Sequence, residues 1–160
     1  NAMVTIALAE KHIWEVGNGR LYDLKLTFGK DEVKSYFGMR KFGIGKDKDG
    51  FTRLMLNNEP YFQNGLLDQG YWSDGGMTPP TEEAMVYDIQ KMKDLGFNML
   101  RKHIKVEPER FYYHCDKLGY LVWGEYPNWG LDHSNPAIHS LCSIPTVIPC
   151  KERQTSQTDG

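Results

Sequence analysis

Apolar and polar residues alternate along the first third of the chain. In "LYDLKLTFG", residues 21–29, leucines and a phenylalanine recur among polar residues, and a similar alternation follows in "EVKSYFGMRKFGI", residues 32–44. The turn signal "GKDE" separates the two stretches, so the pattern predicts antiparallel strands in a meander. The polar, glycine-bounded stretch "GKDKDG", residues 45–50, indicates either a domain boundary or a hairpin turn. Short strands are then predicted in "TRLMLNN" and "YFQNG".

After Pro80 the apolar period changes from that of a strand to that of a helix. Thr81 is a candidate N-cap, and the helix that it begins is predicted to stop at Gly96. "FNMLRKHI" follows as a strand, Pro108 opens a second helix that Gly119 closes, and "YLVWGEY" is the next strand. The apolar stripes are Met85, Ile89 and Met92 in the first helix and Phe111, Cys115 and Leu118 in the second.

The resulting order, β-α-β-α-β, predicts a parallel sheet, because strands joined by helices of this length run in the same direction. Either an open doubly wound sheet or the start of a (β/α)₈ barrel fits this order. The loops between strand and helix, "DQGYWSDGGMTPPT" and "KVEP", lack the glycine-rich phosphate turn of nucleotide-binding folds. The fold class is therefore predicted to be α/β, with a partial (β/α)₈ TIM barrel of three strands preceded by antiparallel β-sandwich strands.

Several polar and aromatic residues are predicted to gather at the carboxyl ends of these strands. Alternation places Arg101 and His103 on one face of their strand, and Glu125 occupies the same end of the next parallel strand. Asp68 and Trp72 follow the first candidate strand and reach the same rim. Sugar hydroxyls bind charged hydrogen-bond partners and sugar faces pack on aromatic rings, so these five residues are candidate substrate-binding residues. A purely structural salt bridge between Arg101 and Glu125 is an equally good interpretation.

Composition narrows the partners that the chain is expected to have. Of the 160 residues, 40% are apolar and 25% charged, and the net charge of −2 argues against nucleic acid as a partner. No apolar run approaches the roughly 20 residues that cross a bilayer, so a soluble chain without a membrane partner is expected. The three cysteines lack the spacing of metal ligands, and neither a metal nor a cofactor is expected. The compartment stays open, with a periplasmic or secreted parent compatible with the sequence.

The motifs resemble glycoside hydrolase family 2, the family of β-galactosidases and β-glucuronidases. The resemblance covers residues 13–129 and includes the specific block "KDLGFNMLRKHIK". It implies that an immunoglobulin-like sandwich ends in the strand "YFGMR" and that the barrel begins at "LNNEPYFQNG". Residues 1–45 would then be the last sandwich strands, residues 51–130 the first part of the barrel, and residues 131–160 an irregular or partly disordered tail. The resemblance also implies that Arg101 supports the catalytic nucleophile, with His103 and Asp68 on the sugar-contacting rim.

The sequence departs from the family where the catalytic residues are expected. Retaining glycosidases use two glutamates about 5 Å apart, and in this family one follows an asparagine on the fourth barrel strand while the other lies on the seventh. No Asn-Glu pair follows Asn128, so no catalytic residue is assigned. The resemblance implies a parent protein that hydrolyses terminal β-linked sugars, and we predict that this chain is inactive by itself.

Two other functions are compatible with the residues, and one prediction concerns assembly. The first alternative is a non-catalytic carbohydrate-binding or assembly module. The second, more weakly supported, is a metal-dependent hydrolase that uses His103, Glu125 and His133. Three parallel strands leave an unpaired sheet edge, which predicts a homo-oligomer or a C-terminal segment folded over that edge.

Overall fold

A computed structural model describes residues 5–125, which form three small sheets and two helices. Strands β1 (Tyr22–Phe28) and β2 (Asp31–Phe37) pair antiparallel in register from Tyr22 opposite Phe37 to Phe28 opposite Asp31. The antiparallel hairpin predicted for this stretch is confirmed. The chain does not continue as one meander, however, because the third strand, β3 (Phe42–Lys46), pairs with a later strand and not with β2.

The second sheet is built from β3, β4 (Thr52–Leu56) and β5 (Glu59–Pro60), all antiparallel. The loop between β3 and β4 is a hairpin turn, since the Asp47 carboxylate accepts hydrogen bonds from the amides of Asp49 at 3.0 Å and Phe51 at 2.9 Å. Of the two interpretations of "GKDKDG", the hairpin turn is therefore the one observed. The predicted domain division into residues 1–45 and 51–130 stays a prediction. Strands β3 and β4 pair with each other across this division.

The third sheet contains β6 (Gly65–Asp68), β7 (Met99–Lys102) and β8 (Leu121–Gly124), and both pairings are parallel. Helices α1 (Glu82–Asp94) and α2 (Glu109–Leu118) connect consecutive strands. The predicted β-α-β-α-β order and parallel pairing are confirmed, and this part of the chain is a partial α/β unit. The residues predicted as a tail, 131–160, lie outside the described residues.

Local sequence signals explain where the helices begin and end. The Thr81 hydroxyl accepts a hydrogen bond from the Ala84 amide at 3.1 Å, which satisfies one of the free donors of the first turn of α1. Gly119 ends α2 in the left-handed conformation, with φ 67°, as expected for a glycine cap. Helix α1 ends at Asp94, two residues before the predicted stop at Gly96.

The parallel sheet is covered differently on its two faces. One face packs against both helices through a cluster that includes Leu100 of β7; the cluster consists of Met85, Ile89, Leu100, Phe111, Tyr112, Cys115 and Tyr120. On the other face, Met99 and Leu121 pack against Trp14 and Leu56 from the antiparallel part of the chain. Burial on this second face attaches the antiparallel strands to the start of the parallel strands.

A buried ion pair reinforces this attachment. The Arg40 guanidinium lies 2.7 Å from the Asp116 carboxylate of α2 and 4.3 Å from the centre of the Trp14 ring. The Trp14 indole donates to the Asp116 carbonyl at 2.6 Å, and the Tyr36 hydroxyl donates to the Asp116 carboxylate at 3.1 Å. The carboxylate and the backbone carbonyl of Asp116 are thus both bound by residues that precede the second sheet in the chain. These bonds fix α2 relative to the N-terminal strands.

Candidate functional site

Arg101 and Glu125 form an ion pair at the carboxyl ends of β7 and β8. The Arg101 Nε donates to Glu125 Oε1, and the Ile104 amide donates to Glu125 Oε2 at 3.3 Å. The hydrogen bond from Arg101 holds the pKa of Glu125 below its usual range, against a smaller opposing effect of burial. The predicted proximity of the two side chains is confirmed, and Glu125 is a carboxylate held in its ionised form.

His103 lies next to this pair and contacts the end of β6. Its amide donates to the Asp68 carbonyl at 2.9 Å, and its ring nitrogen Nδ1 lies 3.2 Å from the side-chain nitrogen of Gln69. Because the Gln69 amide nitrogen donates, Nδ1 accepts, which in the neutral ring leaves the proton on Nε2. The sequence interpretation overlooked Gln69, although its position directly after β6 is the same kind of strand-end signal that selected Asp68.

Ile104, the residue after His103, has a strained backbone. Its φ of 55° falls in the left-handed region, which is a true outlier for a β-branched residue. Such conformations cost about 1–3 kcal/mol and persist where the surroundings impose them. Here the Ile104 amide is bound by Glu125, so the same carboxylate that pairs with Arg101 also supports the strained turn.

Asp68 points to the other face of the sheet. It pairs in register with Lys102, whose side chain lies on the face of β7 opposite that of Arg101. The Asp68 carboxylate lies 2.5 Å from the Lys102 ammonium. Its other oxygen accepts from the Gly70 amide at 2.7 Å. The structure therefore joins Asp68 to a lysine beneath the helices and not to the side chains of Arg101 and His103. Its predicted contact with a sugar stays a prediction.

The partners of Asp68 belong to a buried charged cluster that the sequence interpretation overlooked. The Lys102 side chain is 1% exposed and the Glu107 side chain 3%, and their charged atoms are 2.9 Å apart. Lys105 lies 3.0 Å from the same Glu107 oxygen. Alternation offered a signal, because Lys102 shares a strand face with the core residue Leu100, and a lysine on a buried face requires carboxylate partners.

Trp72 lies in the loop between β6 and α1, which follows the carboxyl end of β6. Its backbone exchanges two hydrogen bonds with Gly76, of 2.7 and 3.0 Å, which close a tight turn. The indole is partly exposed. The loop is thus ordered by its own backbone, and the predicted contact of the Trp72 ring with a sugar stays a prediction.

An open cleft of about 640 Å³ lies on the sheet face that carries Arg101. Its walls include Met99 and Trp123 from β7 and β8, and Arg53 and Tyr61 from the second sheet and the residue after it. Trp123 is 45% exposed and lies in register with Arg101 across the pairing of β7 and β8. None of the five candidate substrate-binding residues lines this cleft, so it is separate from the Arg101–Glu125 pair.

Two further observations concern residues 5–125 only. No three His, Cys, Asp or Glu side chains in this range are grouped closely enough to hold a metal ion, and His133 lies outside it. Neither helix in the same range is long and apolar enough to cross a membrane.

Comparison with known proteins finds that the chain is similar to glycosidases. No protein-family profile matches the sequence. The chain is 32% identical over 127 residues to a β-galactosidase of Leuconostoc mesenteroides, covering 76% of this chain and 12% of that protein. It is 28% identical to a β-glucuronidase of Streptococcus agalactiae, covering 78% of this chain and 20% of that protein.

Solved structures agree with the sequence comparison. The crystal structure of Parabacteroides merdae β-glucuronidase superposes with a TM-score of 0.61 at 28% identity, covering 72% of this chain and 14% of that one. The chain belongs to glycoside hydrolase family 2. It spans a small part of these relatives, between 12% and 20% of the length of the two sequences compared.

Proposed function

We propose that this chain is the segment of a family 2 glycosidase that ends an immunoglobulin-like sandwich and begins a (β/α)₈ barrel. The parallel order of β6, β7 and β8 with alternating helices is compatible with both a closed barrel and an open sheet, and membership of family 2 favours the barrel. The hairpin of β4 and β5 packs Leu56 against the start of β7 and β8. It thus covers the end of the sheet away from Arg101 and Glu125, and the opposite end stays available for a sugar.

The activity proposed for the whole protein is hydrolysis of terminal β-linked sugars. The observation that carries this proposal is the Arg101–Glu125 pair beside His103 at the carboxyl ends of neighbouring parallel strands, where barrel enzymes bind their substrates. Charged and imidazole groups at this position bind sugar hydroxyls, and Trp72 in the adjacent loop offers an aromatic surface. The named relatives, β-galactosidases and β-glucuronidases, act on sugars of this class by their names.

The chain by itself is proposed to be inactive. Retaining hydrolysis requires a protonated carboxylic acid and a carboxylate nucleophile on opposite faces of the sugar bond. Hydrogen bonding to Arg101 lowers the pKa of Glu125, which makes it a poor proton donor at neutral pH. Asp68 is paired with Lys102 on the other face of the sheet. Glu125 and Asp68 therefore do not supply the pair of catalytic groups that retaining hydrolysis requires.

Nitrophenyl β-galactoside, β-glucuronide and β-mannoside test the inactivity of the chain. We expect no release of nitrophenol above the rate in buffer. Turnover that survives repeated purification and disappears in Glu125→Gln would contradict the proposal and make Glu125 catalytic.

Sugar binding is tested separately by nuclear magnetic resonance titration of the full chain with galactose and glucuronate. We expect weak binding, with a dissociation constant on the order of millimolar, and shifts concentrated at His103 and Glu125. Arg101→Gln should abolish these shifts. The matched control is Arg110→Gln, which removes an arginine whose ion pair with Glu82 joins the first turns of the two helices and does not involve Arg101, His103 or Glu125. Equal losses in both variants would argue against a site at Arg101.

A non-catalytic carbohydrate-binding module is the second candidate. The observation that favours it is the exposure of Trp123 and Tyr71, two aromatic rings available to a sugar near the rim. Saturable binding by the chain alone at micromolar concentration, without dependence on Arg101, would favour this candidate over the glycosidase segment.

We also propose that the chain associates with itself. Strands β6 and β8 form the two edges of the parallel sheet within residues 5–125, and Leu67 on the face of β6 that carries the rim is 55% exposed. An unpaired edge next to exposed apolar side chains favours pairing with another chain. Light scattering at micromolar concentration should detect a dimer or larger species. A monodisperse monomer would refute this proposal.

A further inference from the structure

The buried charged cluster under the rim joins two loops that are distant in sequence. We call Asp68, Lys102, Lys105 and Glu107 the lysine–carboxylate clamp. Lys102 contacts Asp68 at 2.5 Å and Glu107 at 2.9 Å, and Lys105 contacts Glu107 at 3.0 Å. Asp68 ends β6, while Lys105 and Glu107 belong to the loop between β7 and α2. The clamp therefore connects the loops that follow two neighbouring strands.

Gly70 is the backbone residue on which the clamp closes. Its amide donates to Asp68 at 2.7 Å, and its carbonyl accepts from the Lys105 ammonium at 2.7 Å. Its φ of 64° suits glycine, and a Cβ at this position would lie 2.4 Å from Glu107 Oε1 and 2.7 Å from Lys105 Nζ. The start of the loop between β6 and α1 is thus packed directly against the charged groups.

Stability alone is a poor reason for such a cluster. Three of the four charged side chains are buried and Asp68 is partly buried, and buried ion pairs of this kind are often no more stable than apolar residues of similar size. The clamp lies directly beneath residues of the proposed sugar site. Gln69, which contacts His103, precedes Gly70, and Trp72 follows two residues later. A shift of Gly70 would move both groups relative to His103.

We propose that Lys105 is a positioning residue that holds the loop of residues 69–76 against β7 and sets the contact between Gln69 and His103. Lys105 acts through the carbonyl of Gly70 and does not itself contact a sugar. This role of Lys105 rests on the proposed function only in assuming that the rim binds sugar. The arrangement of the loop is measurable without any ligand.

Amide hydrogen exchange of the full chain tests this role. Lys105→Met removes the donor to Gly70 while Lys102 still pairs with Asp68 and Glu107. We expect the protected amides of the loop, Gly70, Trp72 and Gly76, to exchange about ten-fold faster, as for the loss of one hydrogen bond to a charged group. The amides of α1 should exchange at the wild-type rate. The ¹⁵N shift of His103 Nδ1 should also change, because Gln69 is no longer held.

Two variants separate positioning from general stability. Lys105→Gln retains an N–H donor for the Gly70 carbonyl and should show a smaller effect on the loop amides than Lys105→Met. Lys117→Met, which removes an exposed lysine near Tyr113 in the last turn of α2, should leave the loop unchanged. Unchanged loop exchange in Lys105→Met, or an equal acceleration in α1, would overturn the proposal.

Gly70→Ala gives the same information if Lys105→Met does not fold. The added methyl group should displace the loop from Glu107 with all four charged residues retained, and the loop amides should exchange faster while α1 does not. Unchanged loop exchange would again overturn the positioning role. Since no sugar is present, failure here leaves the glycosidase proposal untouched, and that proposal fails only by the sugar and nitrophenyl experiments.

Discussion

Replacement of Lys102 by methionine is expected to destabilise the fold strongly, although the two side chains have similar volume. The Lys102 ammonium is fully buried and lies within hydrogen-bonding distance of both Asp68 and Glu107. It also sits 4.5 Å from the centre of the Phe111 ring. Methionine would keep the apolar stem in place and remove the charge. The variant therefore isolates the electrostatic part of the interaction.

The size of the effect follows from what remains in the site. Glu107 would keep only Lys105 as a cationic partner at 3.0 Å, and Asp68 would keep the Gly70 amide. Removing one member of a buried ion pair costs about 3–5 kcal/mol, because the partner charge stays buried. Domain stabilities are about 5–15 kcal/mol, so the variant would lose a large fraction of its stability.

Urea unfolding followed by circular dichroism measures this loss. With a slope of about 2 kcal/mol/M, the midpoint should fall by about 1.5–2.5 M. The matched control is Lys25→Met, whose ion pair with Glu32 has an N–O distance of 2.7 Å but is exposed. Exposed pairs contribute about 0–1 kcal/mol, so the control midpoint should move by about 0.5 M or less. Equal shifts in the two variants would refute the reasoning that burial of the partner carboxylates causes the loss.

Three further predictions concern single positions. Gly119→Ala should destabilise the fold by more than about 3 kcal/mol in the same assay, because a Cβ there would lie 2.6 Å from the backbone nitrogen of Gly17. Gly96→Ala is the control, since Gly96 also has a positive φ but open space around it, and should cost only about 1–2 kcal/mol. Equal costs would contradict the steric argument. Arg101→Gln should raise the pKa of Glu125 toward its usual value of 4.5 in a carbon-13 titration. A carboxyl group whose pKa is lower in the folded than in the unfolded protein stabilises the fold above the unfolded pKa, and this stability is lost as the pH falls through the folded pKa. The wild type should therefore lose more stability than this variant below about pH 4.5. Parallel dependence of stability on pH in the two proteins would contradict this. Burial raises the pKa of the Cys115 thiol and shields it from reagents. In a variant with the other two cysteines changed to serine, Cys115 should react with a disulfide reagent only after unfolding in urea. Rapid labelling of the native protein would contradict this.

Sequence reasoning succeeded where the determinants are local. Thr81 and Gly119 are recognisable caps, and both perform the predicted roles at the ends of helices. Alternation along β7 correctly separated Arg101 from Lys102, because successive side chains of a strand point to opposite faces. The parallel order followed from connection length alone. The proximity of Arg101 and Glu125 could therefore be predicted from strand ends without coordinates.

Sequence reasoning failed where the outcome depends on which segments meet. Alternation in residues 32–44 indicates strands but not their partners, and β3 pairs with β4 because the turn at Asp47 brings them together. Asp68 was predicted to reach the rim from the end of β6, and its sugar contact stays a prediction; its register opposite Lys102, which a single strand does not reveal, directs its carboxylate to the other face. A shift of one residue in register reverses the face of a side chain, and register is not visible in a single strand.

The sequence by itself determined the elements, their order and the group of residues at the strand ends, since caps, periodicity and connection length act within short stretches of chain. Only the tertiary structure decided which charges are buried together. Alternation indicates a buried face for Lys102 but gives no sign that Lys105 and Glu107 join it, and the three residues are buried together because two helices cover one face of the sheet. Burial belongs to the packing of distant segments, and the strength of a charge interaction depends on that burial more than on residue type.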